Sequence, residues 1–123
     1  MPFQPSSAWL WHFDMLRDHV RNRAYREAIE SAVREYARRC AGDPAPPPLR
    51  VLDIGTGTGL LATLVARAAA AALPDGARGR VEIVAFEVVP AAAQIAARTF
   101  ARNGARVRLV RAHSTDARAG AGI

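Results

Sequence analysis

There is no lysine in this chain; all 17 of its basic residues are arginine. The arginines, like the over-used alanines, recur along the whole length, which marks a compositional bias and not a dedicated surface. An arginine-rich nucleic-acid face needs its arginines clustered on one element with aromatics between them, and no segment has that pattern. The net charge of +6 attracts acidic partners only non-specifically. Cysteine is almost absent too. The single Cys40 excludes an internal disulfide and makes a reducing compartment the default. With no base near it in sequence, Cys40 reads as a half-buried helix-end residue and not as a nucleophile. Long apolar runs are also missing. Leu60–Leu73 is interrupted by Arg67 and is too short to span a bilayer, and the N-terminus has no basic-led apolar stretch of the secretory kind. The sequence therefore predicts a soluble intracellular protein, with no membrane partner and no metal site.

What is present is apolar enough to bury a core: half of the 123 residues are hydrophobic, which suits one small domain. Met1–Ser7 reads as a flexible lead-in. Trp9–Val20 mixes aromatics and charges and predicts a short helix. In Asn22–Arg39, Tyr25, Ile29, Val33 and Tyr36 recur at three- and four-residue spacing, a helical stripe with Asn22 as its candidate cap. Gly42 and four prolines then break the chain, because proline cannot extend a helix. This predicts a helical preface over 1–41, a linker over 42–48 and a second unit over 49–123.

From Leu49 onward strand and helix patterns alternate. Val51–Ile54 is a short apolar run that suits a buried parallel strand. Leu60–Ala72 reads as an Ala/Leu helix, and Pro74-Asp75-Gly76 marks a turn. Val81–Phe86 is a second strand. Ala91–Arg102 is a second helix, opened by Pro90 and closed by Asn103-Gly104. Arg106–Val110 alternates like an edge strand. The order β-α-β-α-β predicts an α/β fold: half of a doubly wound parallel sheet, in strand order 3-2-1 from right-handed crossovers.

The chemistry concentrates between the first strand and its helix, in Asp53-Ile54-Gly55-Thr56-Gly57-Thr58-Gly59. Glycines at alternate positions let the backbone turn tightly and approach a ligand, and the next helix opens with free N–H groups. A P-loop is excluded because no Gly-Lys-Ser/Thr occurs. Gly57-x-Gly59-x-x-Ala62 satisfies the loose dinucleotide fingerprint, but Asp53 at the strand tip would repel a pyrophosphate. Glu87 also follows the glycines by about 30 residues, where a dinucleotide site has its acid at ~20. S-adenosyl-L-methionine fits better. It has no phosphate, and its sulfonium and ammonium suit Asp53. Glu87, at the carboxyl end of the second strand, can accept hydrogen bonds from both ribose hydroxyls. The plain alternative for Glu87 is a solvated loop carboxylate.

Val51-Leu52-Asp53-Ile54-Gly55-Thr56-Gly57-Thr58-Gly59-Leu60-Leu61 resembles the first motif of the protein arginine methyltransferases, whose fold is the class I, Rossmann-like one. Trp11-His12-Phe13-Asp14-Met15-Leu16-Arg17-Asp18, followed by Arg21-Asn22-x-x-Tyr25, resembles the N-terminal helices of that family. The Arg-Asn form, with His113-Ser114-Thr115-Asp116, is most similar to the branch called subtype seven; subtype nine is the competitor. The resemblance runs over about residues 9–116. It implies that Arg21 pairs with the cofactor carboxylate through a planar fork of donors, where the residue alone reads as a solvated helix arginine. It implies that His12 and Met15 fold over the cofactor as a lid; core packing for Met15 and a surface or capping role for His12 are the alternatives. It adds Gly55 as a backbone contact and Ser114 and Thr115 near the adenine, although other branches carry a Glu at the Thr115 position.

The same resemblance places the catalytic acids, two glutamates, on a hairpin after a fourth strand. No residue of this chain matches them, and Ala117–Ile123 holds no carboxylate. The chain therefore reads as an N-terminal fragment, the cofactor portion of an S-adenosyl-L-methionine-dependent arginine methyltransferase, inactive by itself. The intact enzyme would act on Arg/Gly-rich protein segments in the cytoplasm or nucleus. A stand-alone cofactor-binding module, or a methyltransferase for small molecules or nucleic acid, is the alternative; the His12–Tyr25 preface speaks against the latter.

Overall fold

The computed structural model describes residues 7–78 and 80–116. The elements run α1 (Ser7–Arg17), α2 (His19–Arg39), β1 (Leu49–Ile54), α3 (Leu60–Ala72), the one-turn α4 (Asp75–Arg78), β2 (Val81–Phe86), α5 (Pro90–Arg102) and β3 (Arg108–Val110). The remainder of the expected lead-in, residues 1–6, and the Ala117–Ile123 tail lie outside the described residues. The three strands are parallel in the order β1-β2-β3, with Asp53 opposite Ala85 and Phe86 opposite Val110. This is the α/β arrangement that the alternating pattern predicts.

The break between the first two helices falls on Asp18, not between Val20 and Asn22. Asp18 leaves helical geometry (φ −74°, ψ 83°), and its carboxylate accepts the Arg21 N–H at 2.9 Å. It is thus the cap of α2, and Asn22 is already inside the first turn. The physical reason is that a capping oxygen must sit three residues before the N–H it satisfies, and only Asp18 stands outside the helix. Further on, the turn expected after Leu73 contains α4, and β3 is shorter than the Arg106–Val110 run.

Along α2, Ile29, Val33 and Tyr36 face α3, where Val33 is buried with Ala68, Ala69 and Leu73. Tyr25 departs from this stripe and stays 43% exposed. The main core joins Ala62 and Val65 of α3, Ile83 and Ala85 of β2, and Ala96 and Phe100 of α5. Alanines let the helices approach the sheet closely, but they bury little area each. Side chains such as Phe100 and Ile83, at about 1.5–3 kcal/mol apiece, carry more of the burial.

The described helices cover one face of the sheet. β1 alternates half-buried and exposed along its length, leaving Leu52 53% and Ile54 62% exposed. The expectation of a buried strand is therefore half right. Val51 packs against the core, but the opposite face of β1 is bare because no described element lies on it.

Candidate functional site

The site forms where β1 gives way to α3. Gly55, Gly57 and Gly59 all adopt left-handed backbone, at φ 72°, 59° and 90°, which side-chain-bearing residues rarely tolerate. The loop hangs on β2: Gly55 and Thr56 both donate their N–H to the Phe86 carbonyl, each at 2.9 Å. Thr56 is buried, and its hydroxyl donates to Asp53 Oδ2 at 2.7 Å, which orients that carboxylate at the strand tip.

Glu87 follows β2 directly and is only 7% exposed. Its Oε2 accepts the Gly57 N–H and its Oε1 the Val89 N–H, both at 2.9 Å. The Glu87 N–H donates to Val110 of β3 at 3.1 Å. One side chain thus ties the glycine loop to the start of α5. A reading of Glu87 as a solvated loop residue does not hold. Each carboxylate oxygen keeps a second lone pair beyond its backbone bond, which is the capacity that a hydroxyl-bearing ligand needs.

Above the loop lies α1. His12, Met15 and Leu16 fall at i, i+3 and i+4, on one face of that helix, and line a cleft with Arg21, Asp53 and the Gly55–Thr58 backbone. The His12 ring is so near the loop that a Cβ on Gly57 would stand 2.8 Å from its Cε1. Over Gly55 the space is open. The cleft measures ≈120 Å³, below the roughly 300–1,000 Å³ of small-molecule pockets; with α1 in this position a nucleoside-sized ligand needs that helix to give way. Arg21 also lines the cleft, its guanidinium 4.8 Å from the centre of the Tyr25 ring and donating to Asn22 Oδ1 at 3.1 Å.

Of the ten candidate residues, His12, Met15, Arg21, Asp53, Gly55 and Gly57 meet at this cleft, and Glu87 is one hydrogen bond behind it. Gly59 does not line it. As the residue preceding α3 it packs on Phe100, 2.7 Å from where a Cβ would stand, so packing as well as its left-handed backbone calls for glycine. Ser114 and Thr115 also lie outside the cleft lining, in a turn where Thr115 pairs with His113 at 2.7 Å. Sequence reasoning missed Leu16, although its four-residue spacing from His12 carried the signal. It also missed Thr56, whose signal was its place three residues after Asp53. A larger groove of ≈760 Å³ is the bare sheet face, lined by Leu52 and Val84 together with Arg106, Arg108 and the surface Arg50–Glu82 pair. Among the described residues no cluster of His, Cys, Asp and Glu could hold a metal ion, and no helix is long and apolar enough to cross a membrane.

No protein-family model matches the chain. Over 111 residues, 89% of this chain, it is 36% identical to the protein arginine N-methyltransferase 7 of Aedes aegypti. Over 108 residues it is 39% identical to the protein of the same name from Drosophila virilis, and over 60 residues 53% identical to that of Oryza sativa subsp. indica. The matched segments are 14%, 13% and 7% of those proteins, so the chain spans about a seventh or less of the relatives' length.

Proposed function

We propose, for a chain that belongs to the protein arginine N-methyltransferase family, that the cleft under α1 binds S-adenosyl-L-methionine and that these residues are the cofactor-holding portion of an arginine-methylating enzyme. The observation that carries this reading is the hydrogen bond from Gly57 to Glu87. It joins an acid at the tip of β2 to a glycine loop at the tip of β1, with Asp53 beside it.

Two carboxylates at adjacent strand tips favour a cation and disfavour a phosphate. The cofactor's sulfonium and ammonium supply that positive charge, and its carboxylate suits Arg21 in the same cleft, where a planar fork pairs with two oxygens. Glu87 would take the ribose hydroxyls on its free lone pairs, and Gly55 leaves room for close backbone approach. His12 and Met15 on α1 would cover the ligand and keep water from it. When bound, the sulfonium offers an electrophilic methyl group. This chain's part is to hold and aim it, and alignment is where a displacement gains much of its rate. The substrate class this reading supports is arginine in Arg/Gly-rich protein segments.

The test is calorimetry of the purified 123-residue polypeptide with S-adenosyl-L-methionine. Saturable binding that Glu87→Ala weakens by roughly 1.5–3 kcal/mol, the worth of hydrogen bonds to a charged group, supports the proposal. A folded polypeptide that binds none defeats it. No pair of substrate-gripping glutamates is matched in this sequence, so the polypeptide alone should leave an Arg/Gly-rich peptide unmethylated by labelled cofactor. For a longer protein carrying this segment, mass spectrometry that finds methyl groups only on lysine or nucleic acid rules out the substrate assignment.

A further inference from the structure

The connection between α1 and α2 is a single residue, Asp18, yet α1 lies against the glycine loop. Two side-chain bonds that tie it to α2 come from one residue. Asn22, in the first turn of α2, donates its amide to the Met15 carbonyl at 3.1 Å and to the Leu16 carbonyl at 3.0 Å. Its Oδ1 accepts from the Arg21 guanidinium at 3.1 Å. Only one orientation of the amide satisfies all three. A guanidinium can only donate, so the oxygen must face Arg21, and carbonyls can only accept, so the NH₂ must face α1.

We infer that Asn22 is a latch: a positioning residue that seats the lid helix α1 and couples its seating to Arg21, the residue assigned to the cofactor's carboxylate. The inference rests on the proposed function only for that last link. A helix of 11 residues is shorter than the ~12–15 that an isolated helix needs in water, so α1 depends on anchors of this kind. Its last carbonyls lack partners from a further helical turn: the Asp18 N–H serves Asp14 at 3.0 Å and, weakly, Met15 at 3.3 Å, and Asn22 adds a shorter bond to Met15 and one to Leu16. The residues that line the cleft, Met15 and Leu16, are the same ones whose carbonyls Asn22 holds. Movement of Arg21 onto a ligand therefore reaches the lid through one amide.

The inference is checked by hydrogen exchange on the cofactor-free 123-residue chain, following amides of residues 11–17 with those of α3 as the internal control. Asn22→Ala raises the helix propensity of α2, so lost protection in α1 cannot come from a weakened α2. Asn22→Asp keeps the acceptor for Arg21 but presents a carboxylate to two carbonyls. Both variants should speed α1 exchange about tenfold, the equilibrium worth of two modest hydrogen bonds, and leave α3 unchanged. Arg21→Ala should speed it about threefold, and should add nothing in the Asn22→Ala background, because coupled residues are not additive. Unchanged α1 exchange in the Asn22 variants overturns the latch. Additive effects of Arg21→Ala and Asn22→Ala overturn the coupling. In a second arm, S-adenosyl-L-methionine should dissociate faster from Asn22→Ala by a similar factor. If the unaltered chain binds no cofactor, the proposed function fails, while the exchange cycle still decides the latch.

Discussion

Glu87 Oε2 lies 2.9 Å from the Gly57 backbone nitrogen, so the acid that ends β2 and the glycine loop that follows β1 are one structural unit. Replacement of Glu87 therefore has two effects that can be separated. In Glu87→Gln one oxygen becomes an NH₂, and whichever way the amide turns it meets a backbone donor, from Gly57 or from Val89. This variant should lose about 1–3 kcal/mol of stability, the cost of an unsatisfied buried group, before any ligand is added. Thermal unfolding measures it. A melting temperature equal to that of the unaltered chain would mean that Glu87 holds no loop.

Gly59 and Gly57 should respond differently to alanine. At Gly59 a Cβ meets the Phe100 ring at 2.7 Å as well as a left-handed backbone. Phe100 is 4% exposed and boxed in by the core, so it has nowhere to go. At Gly57 the obstacle is His12, which sits on the lid. Gly59→Ala should cost about 1–3 kcal/mol through strain and overpacking. Gly57→Ala should cost less in stability but displace α1, and His12→Ala should relieve the steric part. Unfolding curves of the three variants decide this; equal losses at both glycines with no relief by His12→Ala would count against it.

Much of the fold was legible because strand and helix signals here are local. Val81–Phe86 and Leu60–Ala72 have the bounds that β-branched content and the Ala/Leu run imply. The cleft was legible to the extent that it depends on glycine and on spacing along one helix. Asn22 was misread because a helix cap and a clamp on a neighbouring helix use the same residue type, and only the angle between α1 and α2 tells them apart. The bare face of β1 carries no local sign, because a short apolar run looks the same whether one or both faces are covered. The packing of Gly59 on Phe100, 41 positions away, leaves no local trace.

Arg21→Lys tests geometry against charge. The lysine keeps one positive charge but loses the fork, the stacking on Tyr25 and the donor placed at Asn22. Cofactor affinity should fall for Arg21→Ala by about 1.5–3 kcal/mol, as for a charged hydrogen-bonded pair, and Arg21→Lys should recover only part of it. Full recovery in calorimetry would reduce the role of Arg21 to charge alone.

Tyr36 pins the proline-rich connection to α2: its hydroxyl donates to the Pro47 carbonyl at 2.7 Å. Burial pushes the Tyr36 phenol above its ordinary range, with the neighbouring Cys40 adding to the rise. A group whose value is raised on folding contributes stability below its unfolded value, about 10 for tyrosine, and loses it as pH rises through the folded one. Tyr36→Phe should therefore cost about 1 kcal/mol at neutral pH, and the gap to the unaltered chain should close as the medium becomes strongly alkaline. Denaturant titrations at pH values on either side of that range give the difference. A gap that widens with pH would reverse the sign of the argument.

The exposed face of β1 sets how the 123-residue polypeptide behaves in solution. β1 is an edge of the described sheet, and Leu52 and Ile54 stand 53% and 62% exposed on it. An edge strand offers unpaired backbone groups, and an apolar face beside it offers area to bury; together they favour strand-to-strand association. The flanking Arg50 and Glu82 pair with each other at 3.0 Å, so neither adds a lone charge beside Leu52. Light scattering of the isolated polypeptide should therefore rise with concentration. Leu52→Thr with Ile54→Thr keeps the β propensity of the strand while removing most of the apolar area. Because both side chains already face water, the pair of changes should alter stability by no more than about 0.5 kcal/mol per site, yet lower the scattering to that of a monomer. Scattering that persists in this double variant would move the sticky surface elsewhere, first to Trp11 and Phe13 on α1, which are 72% and 55% exposed.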